Sequence, residues 1–233
     1  MSLTRARNLK RISTFYIIDP DGLAIGLGKI SSRFRLGVIM LVTLSGVAFA
    51  DDADLAACQN DNPSIGIPAC TKMIASGEEK PEFLGTLYGL RGIAYLRAGE
   101  YAKAVPDFTA TMQYGSDSKD ILKLRAMAYF YSGDSPHAIA DYSESIRNQP
   151  DDAAALNGRA FVFLKMKNYD AALADYNAAL KRQPDNAQVL YGRGLVKRAK
   201  GDNAGAQKDM TQAKNLMPAV ADGFIQAGVD KRP

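Results

Sequence analysis

The chain has 233 residues, 47% hydrophobic and 23% charged, with no Trp, a balance that suits a soluble helical protein. Its formal charge of +4 is unevenly placed: residues 1–50 hold seven of the 29 Lys and Arg but two of the 25 Asp and Glu, leaving 22 basic against 23 acidic groups beyond residue 50. The basic character therefore belongs to the leader and gives no reason to expect nucleic-acid binding.

Residues 31–50 look like a secretory signal. Lys29, Arg33 and Arg35 stand ahead of an apolar run over 36–48, and Ala48-Phe49-Ala50 has the A-x-A form of a cleavage site, followed by Asp51-Asp52. An apolar run of about 13–15 residues falls short of the ~20 that cross a bilayer comfortably. The expectation is cleavage after Ala50 and a periplasmic or secreted protein; the alternative is an uncleaved anchor holding the rest at an inner membrane. The stretch 1–30 is long for the region before a signal, which points to a translation start downstream of Met1. Residues 22–31 have the flavour of a phosphate loop, but the glycine spacing is one too long and Ile30 stands where Ser or Thr must reach magnesium. Leu55-Ala56-Ala57-Cys58 resembles a lipoprotein box, yet Asp51, Asp52 and Asp54 separate it from the apolar run.

Beyond residue 84 the chain repeats. Units 85–118, 119–152, 153–186 and 187–220 align without insertion at a period of 34. Gly92, Ala126, Ala160 and Gly194 share one position; Ala104, Ala138, Ala172 and Ala206 another; Phe108, Tyr142, Tyr176 and Met210 a third; Pro150, Pro184 and Pro218 close three units where Ser116 closes the first. The unit 153–186 reads as two amphipathic helices, over 153–167 and 169–182. Leu156, Ala160, Phe163 and Leu164 recur at helical spacing on the first, and Leu173, Tyr176, Ala179 and Leu180 on the second. Pro184 ends the unit because its ring cannot continue a helix. Such a hairpin cannot bury its stripe alone and needs neighbours.

This small–small–aromatic–Pro skeleton resembles the tetratricopeptide repeat over about 136 of the 233 residues. The resemblance implies an all-α fold, a right-handed α-solenoid of stacked antiparallel helix pairs that binds an extended peptide or helix along its concave groove. Tyr88, Leu122, Leu156 and Leu190 stand where the family usually has Trp. Pro106 falls near the start of the second helix of the first unit, where the expected effect is at most a shifted helix start.

Residues 51–84 continue the frame as a degenerate half-repeat, with Cys58 at the position of Ala160 and Cys70 at that of Ala172. In the family these two small positions lie where paired helices approach most closely, so the resemblance implies a Cα separation of ~5–6 Å and a disulfide. An oxidising compartment would preserve it, and closing a loop of about a dozen residues contributes about 3 kcal/mol in the chain-entropy model. It would staple 59–68, whose two Pro and one Gly make a poor helix. The alternative is a redox or metal pair, which a spacing of eleven intervening residues and the remoteness of His137, the single histidine, both disfavour.

Each unit has Arg at its seventh position (Arg91, Arg125, Arg159, Arg193) and Asp at its twenty-third (Asp107, Asp141, Asp175, Asp209). Matched signs at matched positions imply a ladder of bidentate ion pairs between helices. The competing reading is a row of arginines aimed at an anionic partner. By resemblance, the groove is lined by Ile93, Leu96 and Arg97; Lys123, Met127, Phe130 and Tyr131; Asn157, Phe161, Leu164 and Lys165; Tyr191, Leu195 and Arg198. Exposed apolar rows of this kind make a partner-binding patch, with Phe130, Tyr131 and Phe161 as the leading contacts. Arg97, Lys123, Lys165 and Arg198 form a basic rim for an acidic segment. Lys123 and Asn157 alone approximate the family's carboxylate-binding pattern. The other reading is that some of these side chains merely fill an over-wound superhelix.

After the repeats, 219–229 reads as a capping helix whose Val220, Phe224 and Ile225 cover the last hairpin, and residues 230–233 fray. Catalysis needs a convergent nucleophile, base and orienting group. One histidine and two paired cysteines leave little for it, and Ser116-x-x-Lys119 crosses a unit boundary without its partner motifs. The sequence therefore points to a non-enzymatic, cofactor-free and metal-free protein–protein interaction scaffold. The alternatives are a membrane-tethered accessory subunit of an envelope complex and a self-associating structural protein.

Overall fold

A computed structural model of the chain describes residues 16–18, 24–26, 51–77, 79–115 and 119–230. The signal-like run, its cleavage point after Ala50, Ser116 and the last three residues lie outside the described residues, and so does most of the phosphate-loop-like stretch. Within the leader, β1 (Tyr16–Ile18) and β2 (Ala24–Gly26) pair as an antiparallel ribbon, Ile17 opposite Ile25. The other described elements are α-helices.

They run as successive antiparallel pairs: α1 (Asp51–Cys58) with α2 (Pro63–Ser76), α3 (Pro81–Arg97) with α4 (Tyr101–Gln113), α5 (Lys119–Tyr131) with α6 (Ser135–Asn148), α7 (Ala153–Lys165) with α8 (Tyr169–Arg182), and α9 (Ala187–Ala199) with α10 (Asn203–Leu216), followed by α11 (Val220–Gln226). Each helix packs on the one before and the one after it, which makes a one-dimensional stack. β2 lies against α7. Among the described residues no helix is long and apolar enough to cross a membrane.

The period is kept by caps. Asp134, Asn168 and Asp202, each at the sixteenth position, accept a hydrogen bond from a backbone N–H in the first turn of α6, α8 and α10. Asp152 and Asn186, at the thirty-fourth, do the same for α7 and α9. Such caps contribute about 1 kcal/mol each and fix where a helix begins. Where the thirty-fourth residue is Leu84, nothing caps, and α3 starts four residues early on Pro81, whose missing N–H is no loss at a helix start. Pro106 stays within the expectation of at most a shifted start: α4 begins at Tyr101, in frame with Ser135, Tyr169 and Asn203, and runs through the proline. Pro68 likewise sits inside α2, which is capped by Asn62 and carries Pro63 in its first turn, so the helix reaches further into 59–68 than composition predicts.

The two helices of a repeat are joined through a left-handed residue. Gly99, Gly133 and Gly201 supply it with φ of 72°, 92° and 88°; in the third repeat Lys167 takes the same conformation at φ 61°. That residue ends α7 at Lys165 rather than at 167. The core runs the length of the stack. Ala104, Ala138, Ala172 and Ala206 are at most 1% exposed, and Phe108, Tyr142 and Tyr176 at most 2%. Each aromatic fills the space between its own hairpin and the next: a Cβ on Gly92 would meet Phe108 of the same hairpin, and one on Gly158 would meet Tyr142 of the preceding one. Burying such a side chain stabilises by about 1.5–3 kcal/mol.

Candidate protein-binding groove

The arginine–aspartate pairs are a structural spine. Arg91, Arg125, Arg159 and Arg193 each donate from Nε and Nη2 to the two carboxylate oxygens of Asp107, Asp141, Asp175 and Asp209, at 2.7–2.9 Å. The aspartates are buried. The third nitrogen, Nη1, donates backwards along the stack, from Arg125 to Thr109, Arg159 to Ser143 and Arg193 to Asn177. These polar residues occupy the twenty-fifth position of the preceding repeat. One guanidinium therefore clips its own hairpin shut and ties it to its neighbour, which Lys, a point charge without a fork, cannot do. The inter-repeat acceptors had a readable signal, since Thr109, Ser143, Asn177 and Thr211 are polar in every unit. Hydrogen bonds to the carboxylates, opposed by burial, raise the pKa of Arg91 and of Arg125. Burial pushes that of Asp209 up, and the bonds from Arg193 and Lys197 outweigh it and hold the group below the usual carboxylate range.

At the N-terminal end Cys58 and Cys70 are joined in a disulfide, with Cα atoms 4.7 Å apart, between α1 and α2. The bridge is buried with Met73 and Leu87 in a small core of its own, which lets a hairpin with an eight-residue first helix hold together.

Expected groove residues on the first helices come together with Tyr101 of α4 and Phe224 of α11 in a continuous aromatic row. Tyr101 stacks on Tyr131 at 4.9 Å, Tyr131 meets Phe130 edge-on at 5.0 Å, and Phe130 meets Phe161 at 5.5 Å. Phe161 then meets Phe224 at 5.7 Å, and Phe224 meets Tyr191 at 5.1 Å. Phe130 and Tyr131 are half-buried. The expectation of an open surface needs correcting for Leu96, Lys123, Met127, Asn157, Phe161, Leu164, Tyr191 and Leu195, which are 1–7% exposed. The first helices α5, α7 and α9 touch one another, and α11 reaches from the C-terminal end across to Phe161, so these side chains fill the inner curve of the stack.

The basic rim is engaged internally. Lys123 lies between Asp120 at 2.8 Å and Asp152 at 2.5 Å, so it braces α5 against the N-terminus of α7. Burial works against its charge, and the bonds to both aspartates outweigh burial and raise its pKa. Arg97 pairs with Asp61 at 3.0 Å. Lys165 donates to the carbonyl of Ala227, and Arg198 to Asp230 at 2.5 Å. Sequence reasoning did not find Asp61, Phe224 and Asp230 as groove neighbours, and it expected Asp230 to fray, whereas Tyr191 and Arg198 hold it in place. These three neighbours lie outside the repeats or at their ends, where no periodic signal marks them.

A stack of helix hairpins with a continuous aromatic inner face defines the class of helical-repeat protein-interaction scaffolds. A sequence profile described as tetratricopeptide repeat matches residues 153–186, and a second with the same description matches 90–153 and 123–165. The chain is a tetratricopeptide-repeat protein. No curated protein matches it. Solved structures share the fold. The MamA protein is 19% identical over 68% of this chain and 85% of its own, with a TM-score of 0.57. YrrB, described as a TPR protein with an unusual peptide-binding site, is 15% identical over 71% and 84%, with a TM-score of 0.55. A tetratricopeptide repeat protein from Parabacteroides merdae is 17% identical over 76% and 72%, with a TM-score of 0.62.

Proposed function

We propose that the protein is a non-enzymatic scaffold that binds a peptide or helix of a partner protein along the inner face of its repeats, and that it works in the periplasm. The observation that carries the reading is the aromatic row from Tyr101 to Tyr191, flanked by Arg97, Lys165 and Arg198. Large aromatic side chains beside cations are the residue types on which protein interfaces concentrate their binding energy. The stack is tied repeat to repeat by the guanidinium spine, so the helices that carry the face are held in place before a partner docks. The signal-like leader and a disulfide suited to an oxidising compartment support the location.

A photo-crosslinking side chain at Tyr131, in the native envelope, tests the groove, with exposed Lys181 on α8 as control. A discrete protein band from Tyr131 alone is the expected result; equal capture from both positions, or none, overturns it. The same leader supports a second reading, a membrane-tethered accessory subunit. N-terminal sequencing separates the two, because a mature chain beginning at Asp51 is expected for the soluble scaffold and an intact leader for the tethered one.

A further inference from the structure

The inner face already has an occupant, the chain's own segment 220–230. Phe224 is 1% exposed, with its ring between Phe161 and Tyr191. The helix then closes in a left-handed turn at Gly228 (φ 67°), where Gly228 N–H donates to Ile225 and Val229 N–H to Phe224. The turn folds the segment into a hook that swings Asp230 back to the groove. Its two carboxylate oxygens accept from the Tyr191 hydroxyl at 2.6 Å and from Arg198 at 2.5 Å. Between these two anchors Lys165 donates to the Ala227 carbonyl. A helix that only capped the last hairpin would need apolar cover. This one engages four groove side chains from two repeats, Phe161, Lys165, Tyr191 and Arg198, and it satisfies two of the four rim cations. Beside the hook an open recess of about 430 Å³, lined by Leu164, Leu195, Arg198, Gly228 and Val229, leaves room for an incoming chain to begin contact.

We infer that segment 220–230 is an internal stand-in for the partner: the groove takes an acidic peptide with an aromatic side chain followed six residues later, past a left-handed turn, by a carboxylate, and such a peptide binds by displacing the segment. The inference rests on the groove-binding reading above and adds the partner's chemistry and a competing closed state. Displacement has a definite arithmetic, because a groove closed nine-tenths of the time shows an apparent affinity about tenfold below its intrinsic one.

The probe is a labelled synthetic peptide copying residues 218–230, titrated against the full chain by fluorescence anisotropy. Binding to the parent chain is expected to be weak. Asp230→Asn, which removes one carboxylate charge from the hook, is expected to tighten it several-fold, and Phe224→Ala about tenfold or more. Adding Arg198→Ala to Asp230→Asn is expected to cancel the gain, and a peptide with its Phe replaced by Ala is expected to bind none of the chains. Equal affinity for the parent and both variants overturns the inference, because the groove would then be open without displacement. Absence of binding to every chain overturns it as well, because the recognition chemistry would be wrong. In either case, continued capture of a partner from Tyr131 leaves the groove function standing while the internal stand-in falls. If Phe224→Ala loosens the end of the stack, Asp230→Asn still decides the matter.

Discussion

Gly192 of α9 lies against the ring of Tyr176 of α8 so closely that a Cβ at residue 192 would sit 2.5 Å from both Cζ and the hydroxyl oxygen. The contact joins the third repeat to the fourth, and the tyrosine is wholly buried, its hydroxyl without a hydrogen-bond partner among the described residues. Gly192→Ala must push the ring or the helix aside, and we expect a loss of about 1–3 kcal/mol in urea unfolding. Tyr176→Phe removes the unpaired hydroxyl and relieves the tightest part of the contact; it is expected to leave stability unchanged or raise it by about 1 kcal/mol. Combined, the two changes should cost less than Gly192→Ala alone, a coupling that a double-mutant cycle measures directly.

Lys167 holds a backbone conformation that the equivalent positions entrust to Gly99, Gly133 and Gly201. A left-handed non-glycine residue costs roughly 1–2 kcal/mol, part of which glycine's greater freedom in the unfolded chain cancels. Lys167→Gly is therefore expected to stabilise by about 0.5–1 kcal/mol, read as a higher midpoint at unchanged slope in denaturant unfolding.

Arg159 and Asp175 test the spine. Arg159→Ala leaves the buried Asp175 carboxylate without its fork and frees Ser143, with an expected loss of about 2–4 kcal/mol. Arg159→Lys restores the charge but not the bidentate geometry and is expected to recover only part of it. Replacing both partners, as Arg159→Met with Asp175→Leu, is expected to recover most of the loss in the same unfolding assay. A result in which Arg159→Ala leaves unfolding unchanged but removes partner capture would assign the arginines to ligand binding instead.

Asp209 predicts the acid limb of stability. Its pKa in the folded chain is held down by Arg193 and Lys197 against burial, so its contribution is present above the unfolded value of about 3.9 and is lost as pH falls through the folded value. Stability is expected to drop on acidification below about pH 4, and Asp209→Asn to flatten that drop while lowering stability at neutral pH. Thermal unfolding across pH checks both signs.

What the sequence by itself determined is whatever recurs. Helix starts follow from Asp152, Asn168, Asn186 and Asp202, because a cap acts within one turn of its own helix. The pairing of Arg159 with Asp175 is legible for a related reason: sixteen residues separate them, as in every repeat, and one hairpin closes that distance. Even Thr109, Ser143 and Asn177 left a trace, since neighbouring repeats stand in one fixed relation. The run through Pro106 was less legible, because packing of Ala104 and Phe108 on both sides of it outweighs the local loss of a hydrogen bond. Only the tertiary structure decided the state of the groove. Whether Phe161 and Tyr191 face solvent depends on how closely α5, α7 and α9 approach one another, which is a property of the stack's curvature and of no single unit. Asp230 reaches Arg198 across 32 residues and Tyr191 across 39, from a segment that repeats nothing. A contact made once, between distant parts of the chain, leaves no periodic mark, and it is such contacts that fill the inner face here.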